Sequence, residues 1–169
     1  MPVPVLRTAR LRLRGFTEAD LDAFAAMQAD PAFMRFLGVG PAAGQPRTRI
    51  ETWISMATQM GQWELRGCGF WAIEYQGRFI GRAGILHPEG WPMPELAYGI
   101  APVEWGKGFA FEAASAVLEW ARGALPAPPV SFIHPDNAPS RRLATRLGGA
   151  QDGMIELMGV RAELWRYGK

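Results

Sequence analysis

Between Ile100 and Ala110 the chain reads Ile-Ala-Pro-Val-Glu-Trp-Gly-Lys-Gly-Phe-Ala, and no other stretch restricts the fold as strongly. Before it, Glu95-Leu96-Ala97-Tyr98-Gly99-Ile100 is a strand-like run that Pro102 prevents from continuing. After it, Phe111, Ala114, Val117, Leu118 and Ala121 recur at helical spacing, which predicts a helix over Gly108–Arg122. A strand that gives way to a glycine-rich turn and a long helix brings the free N–H groups of the first helical turn together. The helix dipole adds partial positive charge, and glycine lets a ligand approach the backbone. The stretch is therefore an anion cradle, with Lys107 available at its rim. It lacks the spacing and Gly-Lys-Ser/Thr of a nucleotide P-loop, and it lacks the GxGxxG of a dinucleotide fold. On these residues alone, a glycine-rich helix start that binds nothing stays open.

The flanking sequence predicts an α/β (α+β) domain with a mixed, mostly antiparallel sheet of six to seven strands. Leu11 to Phe16 alternates in the period of a half-buried strand. Thr17 with Asp20, and Thr48 with Glu51, read as capping boxes, and Asp30-Pro31 as an N-cap followed by proline at the first helical position. Apolar Ile50, Trp53, Ile54, Ala57 and Met60 predict a helix whose apolar face is buried, closed by Gly61. Gly69–Tyr75 and Arg78–Ile85 form two strands around a Gln76-Gly77 hairpin turn. The glycine inside the Glu95–Ile100 run signals a bulge or a close backbone approach. Val130–Ile133 is a short strand, Ser140–Leu147 a short helix stopped by Gly148-Gly149, and runs around 154–157 and 162–167 complete the sheet. With no repeats and no linker, residues 1–169 read as a single domain.

Composition narrows the function class. A net charge of +2 over 169 residues, with basic residues clustered only in RTARLRLR and SRRLATR, is no nucleic-acid footprint, and both clusters read as solvated faces. Two histidines and one cysteine leave no zinc spacing, so no metal is expected. No apolar run approaches the roughly 20 residues of a membrane span, the N-terminus lacks a signal-peptide pattern, and the lone Cys68 suits a reducing compartment. A soluble cytoplasmic protein is the expectation.

Ile-x-Pro followed by Trp-Gly-Lys-Gly-Phe-Ala-Phe-Glu-Ala-Ala resembles the acetyl-CoA pyrophosphate loop of GNAT acetyltransferases, although Trp105 stands where that family usually has Gln or Arg. Thr8 to Arg14, Asp20, Asp30-Pro31, Met34 and Leu37 are similar to the N-terminal region of the RimJ/RimL-like branch. Asn137-Ala138-Pro139-Ser140, running to Leu147-Gly148, resembles that branch's Asn-x-x-Ser helix start. The likeness extends from about Leu6 to Tyr167.

The resemblance implies acetyl-CoA as cosubstrate and a primary amine, on a peptide or small molecule, as acceptor. It implies that the sheet splays between the strand of Tyr98, Gly99 and Ile100 and the strand around Val130–Ile133. The pantetheine arm would lie in that gap, and a backbone N–H near Ile100 would polarise the thioester. The residues Trp105, Gly106, Lys107, Gly108, Phe109 and Ala110 form the pyrophosphate loop, and Asn137 would hydrogen-bond the pantetheine arm, although it also fits a helix-start cap. Glu95 is the leading candidate for general base, with His134 and His87 as alternatives by intrinsic pKa. Many family members carry a tyrosine where this chain has Ala144, which leaves Ser140 as candidate general acid unless it is an N-cap. Trp53, Met56, Met60, Trp63 and Trp91 are core or line an acceptor mouth. The loops Gly38–Pro46 and His87–Pro94 contain one carboxylate, Glu89, which disfavours an aminoglycoside. A catalytically silent acyl-CoA-binding domain is the competing reading, and homodimers are common in the family.

Overall fold

A computed structural model describes residues 2–168. Among them the strands are β1 (Leu6–Arg7), β2 (Leu11–Arg14), β3 (Phe70–Tyr75), β4 (Arg78–Leu86), β5 (Glu95–Ile100), β6 (Val130–Ile133), β7 (Gly149–Leu157) and β8 (Val160–Tyr167). They form one sheet in the order β1-β2-β3-β4-β5-β6-β8-β7. The sheet has one strand more than the sequence predicts, because β1 is too short to show an alternation. The helices are α1 (Leu21–Ala29), α2 (Pro31–Met34), α3 (Arg49–Arg66), α4 (Phe109–Ala124) and α5 (Ala138–Arg146).

All neighbouring strands are antiparallel except β5 and β6, which are parallel and meet at a single pair, Glu95 with Val130. Beyond that pair they separate, giving the splay implied by the family resemblance. Ser131 replaces the next ladder bond with its side chain, its Oγ donating to the Leu96 carbonyl at 2.6 Å. Pairing of Arg82 with Gly99 and of Leu86 with Glu95 leaves Glu95, Ala97 and Gly99 on the face covered by α1 and α2. Leu96 and Ile100 face α4, in the same cluster as Val117 and Ala113.

Local signals hold up well. Gln76 and Gly77 both have positive φ, as a two-residue hairpin turn requires. Asp30 accepts from the N–H groups of Ala32 and Phe33, and Thr48 and Glu51 close a reciprocal capping box. Thr17 and Asp20 close one as well, although a short 3-10 turn precedes α1, and Asp20 also takes both ends of the Arg14 guanidinium at 2.8 Å.

The apolar stripe on α3 does not face the core. Ile50, Trp53, Ile54 and Met60 are exposed, and the buried side carries Thr52, Met56, Gln59, Gln62 and Trp63. This polar inner face satisfies backbone groups at the sheet end. The Gln62 amide donates to the carbonyls of Cys68 and Ile85 and accepts from the His87 N–H, while the Trp63 indole donates to Phe70. Trp63 also meets Trp71 and Trp120 edge-on. Gly61 lies within α3, which ends at Gly67 in the left-handed conformation that a helix C-terminus favours.

Candidate active site

The divergence of β5 and β6 opens a cavity of about 820 Å³ that runs from the start of α4 to the start of α5. Of the residues predicted to hold the cofactor, Tyr98, Gly99, Ile100, Trp105, Gly106, Gly108, Phe109, Ala110, Asn137 and Ser140 line it, and Lys107 does not. The Lys107 ammonium turns to Glu104, so its side chain is not the free rim charge that the sequence suggested.

Gly106 and Gly108 have φ of +77° and +80°, and α4 begins immediately after them. Glycine adopts this backbone without strain, and the turn leaves the first amides of α4 pointing out of the helix. The loop is braced from the other end of the chain. Arg10 donates to the Lys107 carbonyl at 2.9 Å and to Glu112 at 2.7 Å, and its guanidinium lies 4.5 Å from the Phe109 ring centre. Burial pushes the Glu112 carboxyl up, but hydrogen bonds from Thr8 and Arg10 outweigh it and hold the group below its ordinary value. Arg10 belongs to a cluster that the sequence reads as a solvated face, and its partners are too distant in the chain for spacing to reveal them.

The antiparallel register assigns the backbone of β5. Ala101 donates to Ile80, so residues 97, 99 and 101 bond across to β4, and the N–H groups of Tyr98 and Ile100 turn toward the opening. The Ile100 carbonyl is already engaged by the Trp105 indole at 2.7 Å, which gives this tryptophan a structural role. Gly99 is not a bulge, since the β4–β5 register runs through it unbroken, and its backbone borders the cavity. A Cβ there would stand 2.7 Å from the Phe33 ring, so the glycine makes room for α2.

On the opposite wall, Asn137 caps α5 by accepting from the Ser140 N–H at 3.2 Å, so Asn137, and not Ser140, is the N-cap. The Ser140 hydroxyl is instead 2.9 Å from the Tyr98 hydroxyl. Burial raises the Tyr98 pKa, and Tyr167, 2.9 Å from Ser131, is pushed up to about 12, chiefly by burial. Both phenols are therefore protonated at neutral pH. Ala144 is fully buried, and Ser140, one turn earlier, is what faces the cavity. Arg142 and Arg146 line it too, and neither forms an ion pair among the described residues. In the sequence both belong to a cluster that reads as a solvated face.

Glu95 lies where this cavity meets a second one of about 290 Å³. It is 8% exposed and accepts from the Trp91 indole at 2.8 Å. Burial pushes its pKa up to about 7, and hydrogen bonds from Trp91 and the Phe132 N–H, with the charge of Arg82, pull the other way. A carboxylate so placed is half ionised near neutrality, as a general base should be. His134 also borders both cavities, its Nδ1 accepting from the Asp136 N–H. His87 borders neither, and burial first, then Arg66, holds it below its ordinary value. Of the aromatic and methionine candidates for an acceptor mouth, Trp91 lines the smaller of these two cavities and the others line neither, with Met56 and Trp63 in the core.

Residues 10–150 match the family model described as the acetyltransferase (GNAT) domain. The chain belongs to this family. The uncharacterized N-acetyltransferase YoaA of Bacillus subtilis is 30% identical over 90% of the chain and 86% of its own length. A crystal structure of an acetyltransferase from Agrobacterium tumefaciens superposes with a TM-score of 0.87 at 31% identity, covering 100% of this chain and 96% of the other. RimL, a ribosomal L7/L12 alpha-N-protein acetyltransferase solved with coenzyme A, shares the fold with a TM-score of 0.77 at 16% identity over 97% and 96% of the two chains. The GNAT chain described here is an acetyl-CoA-dependent N-acetyltransferase. No helix among its described residues is long and apolar enough to cross a membrane.

Proposed function

We propose that the enzyme transfers the acetyl group directly to a primary amine in a ternary complex, with Glu95 as general base. The observation that carries this reading is a buried carboxylate, titrating near neutrality, at the junction of two cavities and on the strand that edges the larger one. The larger cavity suits the cosubstrate. Its glycine loop offers amides from Gly106 to Ala110 for the diphosphate, and Arg142 and Arg146 add charge opposite. The N–H groups of Tyr98 and Ile100 are placed for the pantetheine arm and the thioester oxygen. Acetyl-CoA supplies an activated acyl group on a good leaving thiolate.

Glu95 accepts a proton from the incoming ammonium, which frees the nitrogen lone pair for attack. Ser140, backed by the Tyr98 hydroxyl, is placed to return a proton to the departing sulfur. A thiolate leaves readily, so this second role is the smaller one. Asn137 spends its side-chain oxygen on the cap, which leaves its amide NH₂ for the pantetheine arm.

The acceptor is a small amine or a peptide N-terminus. RimL acts on the N-terminus of a ribosomal protein, which makes the peptide class a reasonable arm of the test. A polycationic aminoglycoside is disfavoured, because Arg47 and Arg82 border the acceptor side. The whole chain is read as one such domain acting in the cytoplasm, and the exposed α3 stripe offers a surface for a homodimer, which sedimentation would reveal. The test of function is thiol release from acetyl-CoA with a panel of peptides, amino acids and polyamines, followed by mass spectrometry of the products. Saturable coenzyme A binding without transfer to any amine would overturn the reading.

A further inference from the structure

The acceptor-side cavity holds two positive charges that transfer to a plain amine does not use. Arg82 lies on the same sheet face as Glu95, two same-face steps along the β4–β5 ladder. Its guanidinium sits 4.1 Å from the centre of the Phe70 ring, and Phe70 pairs with Gly84, so the side chain leans toward Glu95. Arg47, just before α3, is anchored by its own N–H, which donates to the Gln28 carbonyl at 2.8 Å. Its guanidinium packs close to Gly38. Neither arginine forms an ion pair within 4 Å among the described residues; at longer range Arg82 feels Glu95 and Arg47 feels the exposed Glu51.

Desolvation draws the Arg82 pKa down to about 10, so it is charged yet poorly hydrated at neutral pH. A half-buried cation without a bonded anion is partly stripped of water, and that cost is recovered when a ligand brings an anion. Glu95 is the one carboxylate that borders this cavity, and it is committed to the reacting nitrogen. The remaining walls are largely apolar, with Phe36, Leu86, Trp91 and Phe132 among them.

We propose that the acceptor is a small amine carrying its own carboxylate, of which a free amino acid with an apolar side chain is the simplest case. Its carboxylate lies on Arg82 and Arg47, its ammonium on Glu95, and its side chain against the apolar wall. This rests on the reading of Glu95 given above. The N–C bond to the acetyl carbonyl forms and the C–S bond breaks. One ammonium proton passes to Glu95 and on to solvent, a second ends on the thiolate, and the third stays on the amide nitrogen. A peptide N-terminus lacks the adjacent anion and leaves the arginines unanswered.

The experiment compares leucine, methionine and phenylalanine with their carboxamides and decarboxylated amines at saturating acetyl-CoA, well above the titration of Glu95. Two charge-assisted contacts predict that the acids exceed the amides by about a hundredfold or more in kcat/KM. Arg82→Met should cut the acid-over-amine ratio of kcat/KM, read within the variant, by about tenfold or more, because a shifted Glu95 titration scales acids and plain amines alike and leaves that ratio untouched. Arg47→Met, on a loop, is the second variant should Arg82→Met fold poorly. Amides and amines that match the acids in the wild type would overturn this inference and leave amine acetylation standing, as would peptides that outperform free amino acids. An enzyme that binds coenzyme A and acetylates no member of the panel would overturn both.

Discussion

The cradle at the start of α4 and the cavity around Glu95 adjoin along β5, yet they are made of different material. The cradle is backbone: two glycines at positive φ, the first amides of a helix, and strand N–H groups turned to an opening. The Glu95 cavity is side chain: a carboxylate from β5, an indole from the preceding loop, and arginines from β4 and the segment before α3. Backbone donors serve any acyl-CoA enzyme of the family alike, whereas side chains can be exchanged to suit one acceptor. The contrast predicts that damage to the cradle removes cosubstrate affinity, and that damage around Glu95 spares affinity while changing turnover or acceptor choice.

Gly108→Asp should have the largest effect. An aspartate at φ +80° is strained by about 1–3 kcal/mol, and its charge opposes the diphosphate, so coenzyme A affinity measured by calorimetry should fall about a thousandfold. Retained affinity would move the cosubstrate off the cradle. Arg142→Ala with Arg146→Ala should weaken coenzyme A by about tenfold at low salt, and the gap from wild type should narrow as salt rises. A salt-independent loss would mean the pair supports α5 rather than the ligand.

Ser140→Ala should lower kcat by only about threefold, because a thiolate leaves without much help. A hundredfold loss would promote the Ser140–Tyr98 pair to a main catalytic element and blur the division between the two regions. Thr48→Ala, remote from both, should cost about 1 kcal/mol of stability in denaturant unfolding, by loss of the α3 cap, and leave kcat unchanged.

The same division explains what could be read from the chain. The cradle is local, so Pro102, Gly106 and Gly108 announce it in sequence, and the caps at Asp30 and Thr48 follow from residue types a few positions apart. Glu95 could be suspected from its place at the start of a strand, but its partners could not, since Trp91, Arg82 and Arg47 converge through register and loop path. Arg10 and Arg142 looked like solvent-facing charge because their use depends on α4 and on the cleft between β5 and β6. The α3 stripe misled for a related reason: apolar periodicity assumes an apolar core, and here Gln62 and Trp63 serve unpaired carbonyls at the end of the sheet. Gly99 was rightly singled out for close approach, though the group that approaches is Phe33.

The most direct test of the account is the pH dependence of kcat/KM for the acceptor at saturating acetyl-CoA, in the wild type and in Glu95→Gln. Burial raises the Glu95 pKa and the base must be ionised, so wild-type kcat/KM should rise with pH through a midpoint of about 7. In Glu95→Gln that midpoint should vanish, with kcat/KM lower by about a hundredfold and coenzyme A affinity nearly intact. The same midpoint in both proteins, with undiminished kcat/KM, would contradict the account.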